Sequence, residues 1–86
     1  MSDTLERVRR VTADLLKIDI SVIREDSKFV EDLGAESVQS IELVAAFEEE
    51  FEIEMNEDEA LGVKTVGDAV RFIEAILTSQ KLTEEA

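Results

Sequence analysis

Residues 32–51 read Asp32-Leu33-Gly34-Ala35-Glu36-Ser37-Val38-Gln39-Ser40-Ile41-Glu42-Leu43-Val44-Ala45-Ala46-Phe47-Glu48-Glu49-Glu50-Phe51. Gly34 is a turn signal, and an apolar pattern of helical period follows at once. Ser37 therefore stands at a helix start, at or beside the N-cap. Winding the following residues at about 100° each separates two apolar arcs. Leu43, Val44, Phe47 and Phe51 share one side with Ser40 as their only polar companion. Val38, Ile41 and Ala45 lie on the other, among Glu42, Glu48 and Glu49. A helix that only covers a core has one apolar stripe and a polar back. The second strip, beginning beside the Ser37 hydroxyl, reads as a docking surface.

On the N-terminal side, Ser2 and Asp3 can cap a first helix with Leu5, Val8, Val11, Thr12 and Leu15 on one face. It ends near Leu16 or Lys17, with Arg7, Arg9 and Arg10 on its wet side. Residues 18–35 carry Ile18, Ile20, Val22, Ile23, Phe29, Val30 and Leu33, all of which need burial. The segment is therefore expected as an ordered crossing loop with one helical turn near residues 21–25, and with Ser27 as a local cap. On the C-terminal side, Glu52-Ile53-Glu54-Met55 alternates like a strand but has no partner strand, so it is expected as extended loop. Asn56 caps a short acidic helix that ends near Leu61 and Gly62. Thr65 and Asp68 form a capping box, and Val66, Ala69, Val70, Ile73, Ile76 and Leu77 give the last helix its buried face. The expected fold is an all-α four-helix up-and-down bundle, three helices longer and the third short, with a long loop between the first two. Residues 1–79 would form the single domain and residues 80–86 a frayed tail.

The 86 residues contain no cysteine, histidine or proline. Disulfides, thiolate nucleophiles, Cys-type zinc sites and the commonest general base are excluded together. An EF-hand spacing is absent from the acidic run, and no metal site is expected. Nucleic acid is a poor partner for a net charge of −13. No apolar run resembles a signal peptide or spans a bilayer, so a cytoplasmic protein without membrane insertion is expected, as a monomer. Residues 29–63 hold twelve acids and no base. Such a one-signed segment threaded by an apolar strip calls for partners with basic surfaces.

The stretch from Asp32 through Val38, with Ile41-Glu42-Leu43-Val44 and Phe47-Glu48-Glu49-Glu50-Phe51, is similar to the acyl carrier protein family. The likeness covers residues 5–77 and includes Thr65-Val66-Gly67-Asp68-Ala69-Val70 at the last helix. The family's D-S-L serine carries 4′-phosphopantetheine as a phosphodiester, which implies the same for Ser37. Departures are Glu36 for the usual Asp, Val38 for Leu or Met, Gln39 for an acid and Asn56 for a common proline. The resemblance implies an acyl-carrier-type bundle that holds acyl groups as thioesters. It would meet a carrier-protein synthase (a phosphopantetheinyl transferase) and acyl-transferring or condensing enzymes of fatty acid, polyketide-type or specialised lipid synthesis. Glu36, Val38, Ile41, Glu42, Ala45, Glu48 and Glu49 would meet those partners. Leu43, Val44, Phe47, Leu61 and Val63 are candidates to line a space for the acyl chain, with plain core packing as the other reading. Serine without an adjacent base is a weak nucleophile, and no G-x-S-x-G elbow is present, so no catalytic residue is expected. The alternatives are an aminoacyl or peptidyl carrier using the same arm, and an acidic helical adaptor without cofactor.

Overall fold

The three- and four-residue apolar steps wind into α1 (Asp3–Leu16), α2 (Ser37–Phe51), α3 (Glu57–Ala60) and α4 (Val66–Glu85). These come from a computed structural model that describes residues 3–85, with side chains through residue 79. The expected cap at Ser2 lies outside the described residues. The all-α bundle stands, with the short third helix and the long first connection where the sequence places them. Local chemistry sets most boundaries. The Asn56 side chain accepts from the Asp58 and Glu59 N–H groups at 2.9 and 3.3 Å. Asp68 N–H donates to Thr65 Oγ1 at 3.0 Å while Thr65 N–H donates to Asp68 Oδ2 at 3.4 Å. Helix α4 continues through Glu85, past residue 79.

Two helix stops carry no sequence signal. Lys17 ends α1 at φ 58° and Glu52 ends α2 at φ 55°, both in the left-handed region that glycine usually fills. Each is held by a wrap-around bond, Ile18 N–H to Ala13 C=O and Ile53 N–H to Glu48 C=O, both 3.1 Å. A non-glycine residue there costs about 1–2 kcal/mol, which the bond and the burial of Ile53 behind it offset.

Helix α1 packs against both α2 and α4. Val8 and Thr12 sit fully inside, the threonine hydroxyl donating to Val8 C=O at 2.7 Å, so it leaves no buried polar atom unpaired. Leu43, Phe47 and Phe51 supply the α2 side of the core, and Val66, Ala69, Val70 and Ile73 the α4 side. The arginines of α1 are not merely its wet side. Arg7 pairs with Glu50 through Nε at 2.8 Å, donates to Glu50 C=O at 2.8 Å and lies 4.4 Å from the Phe51 ring centroid. Arg9 donates to the carbonyls of Ile23 and Ile20 at 2.8 and 3.0 Å, besides pairing with Glu6. Only Arg10 of the three is exposed.

The crossing loop is ordered by its own side chains and by α4. A single 3-10 turn at Ile20–Val22 is capped by Asp19, whose carboxylate accepts from Ser21 N–H at 2.9 Å. Ile23 and Phe29 are buried, Phe29 meeting Phe47 at 6.4 Å between ring centroids. Ser27 is the local turn residue expected, its hydroxyl accepting from Arg24 N–H at 2.9 Å. Val22 and Val30, expected inside, are exposed, because the tight turns around them point both side chains outward. One antiparallel bridge, Lys28 with Thr65, ties the loop to the start of α4. Phe29 N–H to Lys64 C=O, Val66 N–H to Ser27 C=O and Gly67 N–H to Glu25 C=O flank it at 3.0, 2.9 and 2.7 Å. A Cβ on Gly67 would lie 3.0 Å from Glu25 Cγ and 3.1 Å from its carbonyl oxygen, so glycine permits this approach.

Candidate functional site

The chain reaches α2 through a turn closed by Gly34 at φ +73°, with Ala35 N–H bonded to Phe29 C=O at 2.9 Å and Ala35 buried. The backbone is thus fixed two residues before Ser37. The cap itself is one residue earlier than the serine. Glu36 is the N-cap, and its N–H donates to the Gln39 side-chain oxygen at 2.9 Å, the reverse arm of a capping box. Ser37 is the first helical residue, exposed, and its hydroxyl makes no hydrogen bond to any described residue. The first intrahelical bond runs from Ser40 N–H to Glu36 C=O at 2.9 Å. The N–H groups of Ser37 and Val38 lie ahead of it without intrahelical carbonyl partners. An anion esterified to Ser37 would sit at the positive end of the α2 dipole beside these donors. The residues present fit a phosphodiester there.

Beyond Ser37 the second strip is on the surface. Val38 is 66% exposed and Ile41 59%, and Glu36, Glu42, Ala45 and Glu49 are exposed with them. Neither Glu42 nor Glu49 forms an ion pair among the described residues. Glu48 departs from the expectation that grouped it with this strip. It is half-buried, and its Oε2 accepts the Met55 N–H at 2.8 Å. Helical angles alone cannot separate Glu48 from Glu49, because the choice depends on where the chain turns after residue 52.

Of the positions expected to line an acyl space, Leu43 and Phe47 are buried and Val44 and Val63 are partly buried against the core. Leu61 is 71% exposed and leaves that group. Helix α3 is a single turn, and Ala60 takes its inward position while Leu61 falls outside. Electrostatically the site is almost uncompensated. Of the twelve acids in residues 29–63, only Glu31 and Glu50 make ion pairs among the described residues, to Lys28 and Arg7. The carboxyls held below the ordinary range lie elsewhere: Asp68, mainly through Arg71 and Thr65, and Asp19, through Ser21. Among the described residues no helix is long and apolar enough to cross a membrane.

A free serine hydroxyl thus opens an acidic, apolar-striped helix in a four-helix bundle. Residues 6–73 match the family model described as the phosphopantetheine attachment site. The chain is 51% identical over 74 residues to the acyl carrier protein of Phenylobacterium zucineum, spanning 86% of this chain and 94% of that one. Identity is 52% over 73 residues to the Caulobacter vibrioides acyl carrier protein, with 85% and 94% covered. It is 50% over 74 residues to the acyl carrier protein AcpP of Rhizobium meliloti, with 86% and 95% covered. The Rv0033 chain of Mycobacterium tuberculosis, described as an acyl carrier protein, superposes with a TM-score of 0.79 at 28% identity, over 84% of this chain and 96% of that one. The chain belongs to the acyl carrier protein family, and its cofactor is 4′-phosphopantetheine.

Proposed function

We propose that Ser37 is the residue that carries the arm, and that the protein presents acyl thioesters to enzymes of fatty acid or a related synthesis. The observation that carries the assignment is the free, exposed Ser37 hydroxyl at the first position of α2, with capping done by its neighbours Glu36 and Gln39. Ser40, one turn on, is partly buried and less accessible. The arm supplies a thiol that holds acyl groups as thioesters. The chain itself supplies position and charge. Loading makes an ester bond from Ser37 Oγ to the pantetheine-side phosphorus of coenzyme A, breaks the pyrophosphate bond so that adenosine 3′,5′-bisphosphate leaves, and releases the hydroxyl proton. The chain has no histidine, and no lysine lies within residues 32–51 to take that proton. The base therefore belongs to the transferring enzyme, and the chain is a carrier rather than a catalyst. The tether then raises the local concentration of cargo at each enzyme visited.

Val38, Ile41 and Ala45 offer a shallow apolar contact, and Glu36, Glu42 and Glu49 ring it with unpaired carboxylates. That surface suits a carrier-protein synthase and acyl-transferring or condensing enzymes whose docking faces bear Arg and Lys. A monomer working in the cytoplasm, without nucleic acid or membrane insertion, belongs to the same proposal. So does the division into a domain of residues 1–79 and a tail. The test is intact mass after incubation with coenzyme A and a carrier-protein synthase. The wild-type chain should gain one phosphopantetheine, and Ser37→Ala should gain none while keeping its stability within about 0.5 kcal/mol, since no cap is lost. Addition to the Ser37→Ala chain would refute the assignment.

A further inference from the structure

Residues 53–63 contain the extended segment and α3, and they hold few bonds to the rest of the molecule. Their other hydrogen bonds are local: Asn56 to the first turn of α3, Ala60 to Asn56, Leu61 to Glu57, Gly62 to Glu59 and Val63 to Ala60. Among the described residues, the hydrogen bonds that leave this segment both end on Glu48. Ile53 N–H donates to the Glu48 carbonyl at 3.1 Å and Met55 N–H to its side-chain Oε2 at 2.8 Å. Between the two donors the chain alternates, so that Ile53 and Met55 enter the core while Glu52 and Glu54 stay in water. A one-residue slip would exchange those faces. Besides the burial of Ile53 and Met55, the Glu48 carboxylate reads this register among the described residues, because the backbone bond fixes Ile53 but not the residue two places on.

We propose that Glu48 is a positioning residue: its carboxylate latches Met55, sets the register of the segment that leads into α3, and is not read by partner enzymes. This deepens the carrier reading, since it takes one acid out of the docking surface and gives it to the inner wall of the bundle. Glu49, its neighbour, keeps the opposite role. The two acids stand about 100° apart on the helix, and only one can face the returning chain.

The decisive measurement is amide hydrogen exchange on the apo protein, followed by NMR for wild type, Glu48→Ala, Glu48→Gln and Glu49→Ala. Glu48→Ala should speed exchange at Met55 by at least about tenfold, the scale of a lost carboxylate-to-amide bond. Exchange at Ala60 and Leu61 should rise with it, because the cap at Asn56 rides on the same segment. Glu48→Gln keeps an acceptor and should restore most of the protection, while Glu49→Ala should leave it unchanged. In a synthase loading assay, Glu48→Gln should load at the wild-type rate and Glu49→Gln more slowly. Unchanged Met55 exchange in Glu48→Ala overturns the latch, as does equal loss in Glu49→Ala or a Gln variant no better than Ala. Should Glu48→Ala fail to fold, Glu48→Met takes its place, a good helix former of similar length without the acceptor: lost protection at Met55 supports the latch, and protection like wild type overturns it. Exchange is read without any arm, so a failure of the Ser37 assignment would show as no wild-type loading and leave the latch test standing.

Discussion

Replacing Arg7 by alanine removes three contacts at once, and their sum can be set from the geometry. The Arg7–Glu50 ion pair is 2.8 Å long but both side chains are about a third exposed. Solvent screening therefore limits it to about 0.5 kcal/mol. The bond from the guanidinium to the Glu50 carbonyl, also 2.8 Å, satisfies a last-turn acceptor of α2 and contributes about 1 kcal/mol. The guanidinium 4.4 Å from the centroid of the buried Phe51 ring adds about 0.5–1 kcal/mol. Arg7→Ala should then cost about 2 kcal/mol in all, which lowers the melting temperature by about 8–16 °C in a domain of this size. The assay is urea denaturation followed by far-UV circular dichroism in moderate salt. Two partial replacements separate the contributions. Arg7→Lys keeps the net charge at −13 but loses the planar fork, and should recover less than half of the loss. Glu50→Gln leaves the carbonyl and ring contacts and should cost only about 0.5 kcal/mol. A loss below about 0.5 kcal/mol in Arg7→Ala, the range of an ordinary surface change, would refute the view that Arg7 clamps α1 to the end of α2.

Charge reversal at Glu42 or Glu49 should leave helix content unchanged and slow loading by the synthase, mostly through the on-rate, with a flatter salt dependence. Asp26→Lys, exposed and without an ion pair, is the control, and equal slowing by all three would mean that partners sense net charge alone. Moderate salt should raise the melting temperature, because ten acids of residues 29–63 have no ion-pair partner among the described residues. A melting temperature indifferent to salt would contradict this. Asp68 titrates below its unfolded value near 3.8 because of Arg71 and Thr65, so the stability it contributes is complete above that pH and is lost as pH falls through the lower folded value. Asp68→Asn should therefore flatten the stability curve below about pH 3.8 and leave its slope above about pH 5 unaltered. A carboxyl titration of Asp68 centred at or above the unfolded value would count against it.

Helix positions and side-chain caps were readable from the chain because each is written within four residues: Asn56 before α3, Thr65 with Asp68 at α4, the apolar steps of α1 and α2. The second strip of α2 was readable for the same reason. What escaped depends on residues far apart. Arg7 and Arg9 of α1 look like solvent charges until Glu50 and the carbonyls of Ile20 and Ile23 are brought beside them. Glu48 and Glu49 are equivalent until the chain turns back at Glu52. Lys17 and Glu52 stop their helices in a conformation that sequence reserves for glycine, since the wrap-around bonds rather than the residue type decide it. At the site, a serine beside a turn suggests an N-cap, but Gln39 closes the box on Glu36 instead and leaves the hydroxyl free. Leu61, Val22 and Val30 are apolar yet exposed, because the turns that hold them are too short to bring every side chain inward.

The bridge between Lys28 and Thr65 has a consequence for how this molecule can be taken apart. It pinches the chain at a neck, and everything between its two sides is one continuous excursion: Ser37, the exposed strip, Glu48 and α3, together with all twelve acids of residues 29–63. Helices α1 and α4 stand outside the neck as a frame. Because the two ends of the excursion are already held side by side, exchanging it for the equivalent block of another carrier adds little new closure entropy, which grows only slowly with length. The frame would contribute its apolar face and the Arg7 clamp, and the grafted block would bring its own handle and its own partner surface. On the proposed reading, the block between Lys28 and Thr65 is exchangeable as one unit, closed at its base by a single backbone bridge.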